Sequence, residues 1–223
     1  MIIVIANVLT SETLLELHQQ LKPADFVDGK TSAGWHARLV KHNTQLRSDA
    51  PVLPHLRQII QQALQHNALF QISALPKQIS PILISRYETG MEYGSHVDNA
   101  FMGDEPRMRS DLSLTLFLSA PETYEGGELV IESSQGEQAF KLEAGAMVLY
   151  PSSTLHRVEQ VTAGVRVAAI AWVQSLVKTA GDREILFDLE TARQALFANY
   201  GKTAEFDLLS KSYANLLRKW GEP

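Results

Sequence analysis

Three side chains, two of them close together and one far along the chain, have the types that a metal site needs. His96 and Asp98 stand two apart in the run Ser-Arg-Tyr-Glu-Thr-Gly-Met-Glu-Tyr-Gly-Ser-His-Val-Asp-Asn, residues 85–99. In an extended chain, residues two apart project to one face, so an imidazole nitrogen and a carboxylate oxygen point into the same space. On a helix they do not face each other. Gly90, Gly94 and the neighbouring Tyr and Val residues disfavour a helix, so the spacing predicts a strand over 93–98. His156 supplies a third donor, and Arg166 follows ten residues later.

Two histidines and one aspartate, with no cysteine in the chain, suit the facial arrangement that covers one side of an octahedral Fe(II). The remaining positions stay open for a bidentate co-substrate and for dioxygen. Zinc is the competing metal, although the H-E-x-x-H helix that often binds it is absent from the sequence. The guanidinium of Arg166 matches a carboxylate with two parallel charge-assisted hydrogen bonds. Beside an open ferrous site it suits a dicarboxylate whose other end, a 2-oxo acid, chelates the metal. Gly164 reads as the turn between the strand of His156 and the strand of Arg166, which makes those strands neighbours. Tyr87 can add a hydroxyl near the same carboxylate; Tyr87 and Tyr93 equally suit sheet packing. His18, His36, His42, His55 and His66 read as ordinary histidines.

The elements around these residues fall into three blocks. Ile2 to Ala6 reads as a strand, and Thr10 or Ser11 caps a helix through about Leu21. Trp35 to Val40 is expected to extend. Pro51 or Pro54 opens a second helix to about Asn67, with Leu53, Leu56, Ile59, Ile60, Ala63 and Leu64 at helical spacing. Both helices are amphipathic and are expected to cover one face of a sheet. From 79 to 174 the pattern is β, with strands expected near 79–87, 93–98, 111–119, 127–133, 137–143, 146–150, 154–160 and 165–174. Gly126-Gly127, Gly145, Pro151-Ser-Ser and Ala163-Gly164 mark turns. Short strands at this spacing suggest a sandwich or jelly roll. The polar stretch 100–110 reads as a lid or a long surface loop. Asp182 is expected to cap a helix to Tyr200 and Thr203 another to Trp220, an αα-hairpin that covers the barrel or contacts a second subunit.

Composition narrows the classes. The 223 residues carry a formal net charge of −5 and are 45% hydrophobic. A sizeable core is available, and the basic surplus of a nucleic-acid protein is missing. The first residues form too short an apolar run for a signal peptide or membrane span. With zero cysteine, the expectation is a soluble cytoplasmic protein.

Taken together, these residues resemble the Fe(II)- and 2-oxoglutarate-dependent dioxygenases, and more narrowly the bacterial PKHD-type hydroxylases. The resemblance rests on the run Arg86-Tyr87-x-x-Gly90-x-x-Tyr93-x-x-His96-x-Asp98-Asn99, on His156 and on Arg166. It rests further on Asp28-Gly29-x-Thr31-x-Ala33-Gly34, Lys41-His42-Asn43-x-Gln45-Leu46 and Gly126-Gly127-Glu128-Leu129. His42 departs from the asparagine expected there. The resemblance runs from residue 1 to about 178, and the helical tail looks like the group's C-terminal extension. It implies an α+β, mainly β fold, a double-stranded β-helix (jelly roll, cupin-like) with N-terminal covering helices and a C-terminal helical hairpin. Residues 1–178 would form the dioxygenase domain, with its β-helix core at about 79–174, and 179–223 the extension. It also implies Fe(II) at His96, Asp98 and His156, 2-oxoglutarate on Arg166 with Tyr87 beside it, and a need for L-ascorbate. The reaction would couple decarboxylation of 2-oxoglutarate, giving succinate and carbon dioxide, to hydroxylation of a prolyl or lysyl residue or of a small metabolite linked to iron uptake. A β-barrel that senses iron or 2-oxoglutarate without chemistry would need the same ligands, and the sequence leaves that reading open. Nucleic acid and membrane are not expected as partners; a homodimer through the C-terminal helices is one of the two readings open for the hairpin.

Overall fold

The computed structural model describes residues 1–103 and 107–222. Helix α1 (Ser11–Gln20) starts where the Thr10 hydroxyl accepts from the Thr13 amide, the side-chain cap that orphan first-turn amides require. Helix α2 (Leu53–His66) carries Pro54 in its first turn, where no amide donor is needed, and buries Leu53, Leu56, Ile60 and Leu64 along one stripe. That stripe packs, with Leu17 of α1, on Ile84, Leu114, Leu116, Ala169 and Ala171. A third helix, α3 (Ala68–Ala74), follows at once, capped by the Asn67 side chain. Two turns are too short to establish a period, so residues 68–74 carry no helical signal in the sequence.

Two facing antiparallel sheets make the jelly roll. Among the described residues, the larger has nine strands built around the long strand Val161–Ser175, which pairs with Leu112–Phe117 on one side and Leu83–Glu88 on the other. The smaller orders Gly136–Phe140, Leu129–Ser133, His156–Val158, Glu92–His96 and Lys41–His42. Strand Leu112–Phe117 alternates apolar and polar, yet all six residues are buried. Its leucines face the helices, while Thr115 lines an interior cavity.

Several sequence expectations need correction. Trp35–Val40 does not extend: Ala37–Leu39 is a 3₁₀ turn, and pairing with Glu92–His96 begins only at Lys41. A strand needs a neighbour for its hydrogen bonds, and that edge takes up only the Val40 carbonyl, Lys41 and His42. The expected strand 79–87 is interrupted at Ser80-Pro81, since proline cannot donate to a ladder. The strand of His96 ends at His96, so Asp98 lies just beyond it. Ala163-Gly164 is not a turn. Gly164 lies inside the long strand opposite Tyr124, with φ of 76°, and a Cβ there would meet Thr123 O at 2.2 Å, so glycine is required. The strands of His156 and Arg166 therefore belong to opposite sheets rather than lying side by side.

The lid expected at 100–110 falls partly on 104–106, which lie outside the described residues; Phe101–Met102 and Met108–Arg109 flank them as a short antiparallel ribbon. At the C-terminus, α4 (Ala180–Tyr200) starts two residues ahead of Asp182, with Thr179 at its N-cap, and ends on Gly201 at φ of 68°. Helix α5 (Ala204–Trp220) is capped by the Thr203 side chain. Tyr213, Leu216, Leu217 and Trp220 of α5 pack with Leu75, Val177 and Leu186. Among the described residues, no helix is long and apolar enough to cross a membrane.

Candidate metal centre

Cross-strand pairing in the smaller sheet sets the two histidines directly opposite each other, His156 against His96, with ring centroids 4.3 Å apart. Each ring is oriented by its own strand: His96 Nδ1 bonds Gly94 O at 2.9 Å and His156 Nδ1 bonds Thr154 O at 3.1 Å. An Nδ1–H donated to a carbonyl leaves Nε2 as the lone-pair atom, the tautomer a metal requires. Asp98 approaches from the loop after His96, its Oδ2 at 3.8 Å from His156 Nε2. One ligand atom from each of His96, Asp98 and His156 lies within 4.8 Å of the others. A ring of nitrogen and oxygen donors at that span fits a single first-row cation. Burial, with His156 next to it, pulls the His96 pKa down to about 4, so the neutral, ligating form is present at neutral pH.

The larger sheet reaches across to hold the carboxylate. Ser113 donates to Asp98 Oδ2 at 2.5 Å and is itself 2.8 Å from the Ser152 hydroxyl. Ser113→Ala is expected to release Asp98 and weaken Fe(II) affinity about 10- to 100-fold, the usual cost of losing a group that orients a ligand. Metal titration followed by calorimetry checks this, and unchanged affinity would remove Ser113 from that role.

Arg166 projects from the long strand into the interior. It is 0% exposed, and its Nε, Nη1 and Nη2 all lack a hydrogen-bond partner among the described residues. Its guanidinium carbon sits 5.2 Å from the Tyr87 ring centroid and 5.3 Å from that of Phe117. Tyr87 pairs with Arg166 in register, is 2% exposed and lines the cavity that also holds His96, Asp98 and His156. Burial raises the Tyr87 pKa, an effect that the charge of Arg166 partly offsets. A fully buried guanidinium with every donor idle is costly unless a ligand completes it. The fit to a carboxylate therefore comes from the residues themselves.

Some of this constellation escapes the sequence. The Tyr124 hydroxyl is also buried, and it stands close enough to Arg166 to interact with the guanidinium. Lys41 is buried in the cavity wall. Tyr93 stacks on the His96 ring at 3.7 Å. The other histidines lie elsewhere: His18 meets Leu118 O and His55 meets Glu16.

Comparison with known proteins agrees with this architecture. Residues 82–174 match the 2OG-Fe(II) oxygenase superfamily. A crystal structure of a Pseudomonas putida prolyl-4-hydroxylase superposes with a TM-score of 0.56 at 15% identity, covering 78% of this chain and 92% of that one. A Trichoplax adhaerens prolyl hydroxylase, solved with a hypoxia inducible factor peptide fragment, gives 0.56 at 15% over 77% and 82%. These likenesses define the fold. Residues 181–222 match the PKHD-type hydroxylase C-terminal domain. PKHD-type hydroxylases of Rippkaea orientalis and Acaryochloris marina are 55% and 56% identical over 100% of both chains. The chain belongs to the PKHD-type hydroxylase family, and is a 2-oxoglutarate-dependent hydroxylase of the Fe(II) class.

Proposed function

We propose that His96, Asp98 and His156 hold Fe(II), and that Arg166 binds the distal carboxylate of 2-oxoglutarate with Tyr87 beside it. The bound metal and co-substrate supply oxidising power from dioxygen, with succinate and carbon dioxide as products. The protein's part is to hold the three donors on one face, to anchor the co-substrate by its far end and to keep bulk water from both. The idle, buried guanidinium of Arg166 is the observation that carries this reading.

The prime substrate we favour is a prolyl or lysyl residue of a peptide, or a small metabolite of iron uptake. L-ascorbate is proposed as the reductant that keeps the iron ferrous, and the cytoplasm as the compartment. The purified protein with Fe(II) should release succinate from 2-oxoglutarate, slowly alone and faster with the correct extract fraction. Tight 2-oxoglutarate binding without succinate under every fraction would point to a sensor; activity with Zn and not Fe would point to a hydrolase.

We read 1–178 as the dioxygenase unit and 179–223 as a helical extension that mediates a homodimer. Helix α5 covers its inner face only in part, and Phe197, Tyr200 and Leu208 are 51%, 73% and 58% exposed on the hairpin. Leu208→Glu should then shift the solution mass to monomer in analytical ultracentrifugation. An unchanged mass assigns the hairpin to intramolecular cover.

A further inference from the structure

We propose that Lys41 is the specificity residue for the prime substrate, and that this substrate presents a carboxylate to it. The inference rests on the reading of the site as a 2-oxoglutarate-dependent hydroxylase and goes beyond it by naming the substrate's chemical class.

Lys41 stands opposite Tyr93 at the edge of the smaller sheet. It is 4% exposed and lines the same cavity as His96 and Asp98. Its ammonium donates to Ser32 Oγ at 2.9 Å and lies 5.0 Å from the Tyr93 ring centroid, the ring that stacks on His96. Ser32 passes the contact to Gln45 Oε1 at 2.6 Å, and Gln45 donates to Ser85 at 3.2 Å. This polar chain fixes the lysine's position and uses one of its three protons. Among the described residues no carboxylate forms an ion pair with it; Asp98 and Asp28 act on it only through their charge.

Charge balance strengthens the case. The charges of ferrous iron, one carboxylate ligand, a dianionic co-substrate and one guanidinium cancel. Lys41 is then a surplus cation, buried in the cavity wall. A buried cation is retained at a cost unless an anion completes it. Burial brings its pKa down to about 8, still above neutrality, so the ammonium form is available to a carboxylate. Beside the lining residues Gly34 and Met102 stand Trp35, 81% exposed, and Phe101, 57% exposed. Apolar surface there suits a carboxylate carried on a hydrocarbon body.

The test is a binding measurement. Protein loaded with Fe(II) and saturated with 2-oxoglutarate, kept free of oxygen, is titrated calorimetrically with hexanoate against hexanamide. A hexapeptide with a central glutamate is titrated against its glutamine counterpart. At least one carboxylate should bind about tenfold or more tightly than its amide. The hexanoate pair reports a free acid, the peptide pair an acidic side chain. The preference should fall to within about twofold in Lys41→Met and return in Lys41→Arg. Thermal midpoint and 2-oxoglutarate binding serve as fold controls, and Lys41→Gln replaces Lys41→Met should the latter not fold. Equal affinity for acid and amide in both pairs overturns the inference, as does a preference that survives Lys41→Met. The same titrations without metal and co-substrate separate the two readings. If 2-oxoglutarate fails to bind while a Lys41-dependent preference remains, the hydroxylase reading falls and the carboxylate site stands.

Discussion

Asp98→Ala is expected to abolish substrate-dependent succinate release, by about 1000-fold or more, while the protein stays folded. The carboxylate is the one anionic donor in the set of His96, Asp98 and His156. Its loss removes the oxygen ligand that balances the metal's charge and leaves two neutral imidazoles. Asp98 lies in the loop after His96, outside any strand, so no ladder hydrogen bond depends on its side chain. Its partner Ser113 keeps the Ser152 hydroxyl, so the substitution strands no isolated donor. Fe(II) titration and succinate assay should fail together, with an unchanged circular dichroism spectrum. Full turnover in Asp98→Ala would take Asp98 out of the metal site.

Arg166→Met should show the opposite signs for binding and for stability. Losing a bidentate, charge-assisted partner for a carboxylate costs roughly 2–5 kcal/mol, so 2-oxoglutarate affinity should fall about 30-fold or more. In the protein alone, however, the guanidinium has no hydrogen-bond partner among the described residues. Its surroundings are the aromatic faces of Tyr87 and Phe117. Replacing such a buried charge by an apolar side chain of similar length is often neutral or stabilising by about 1–4 kcal/mol. The thermal midpoint should therefore hold or rise while co-substrate binding disappears. A falling midpoint with binding retained would make Arg166 a structural residue and sink the proposed anchor.

Residue type and local spacing were enough to place most of the covering elements and to single out the candidate site. Helix caps at Thr10 and Thr203, the proline that opens α2 and the glycine that ends α4 are decided within a turn of chain. His96, Asp98, His156 and Arg166 stand out because metal and carboxylate chemistry restricts which side chains serve.

What the tertiary structure alone decided is which positions become interior. Nothing in the local sequence marks Lys41 or Ser113 as interior. Both are buried because a second sheet closes over them. Gly164 reads as a turn, yet its role is set by Thr123, which approaches from a distant segment. The placement of His156 and Arg166 in opposite sheets likewise depends on strand pairing. Burial and pairing are sums over contacts between remote segments, and short-range pattern carries no record of them.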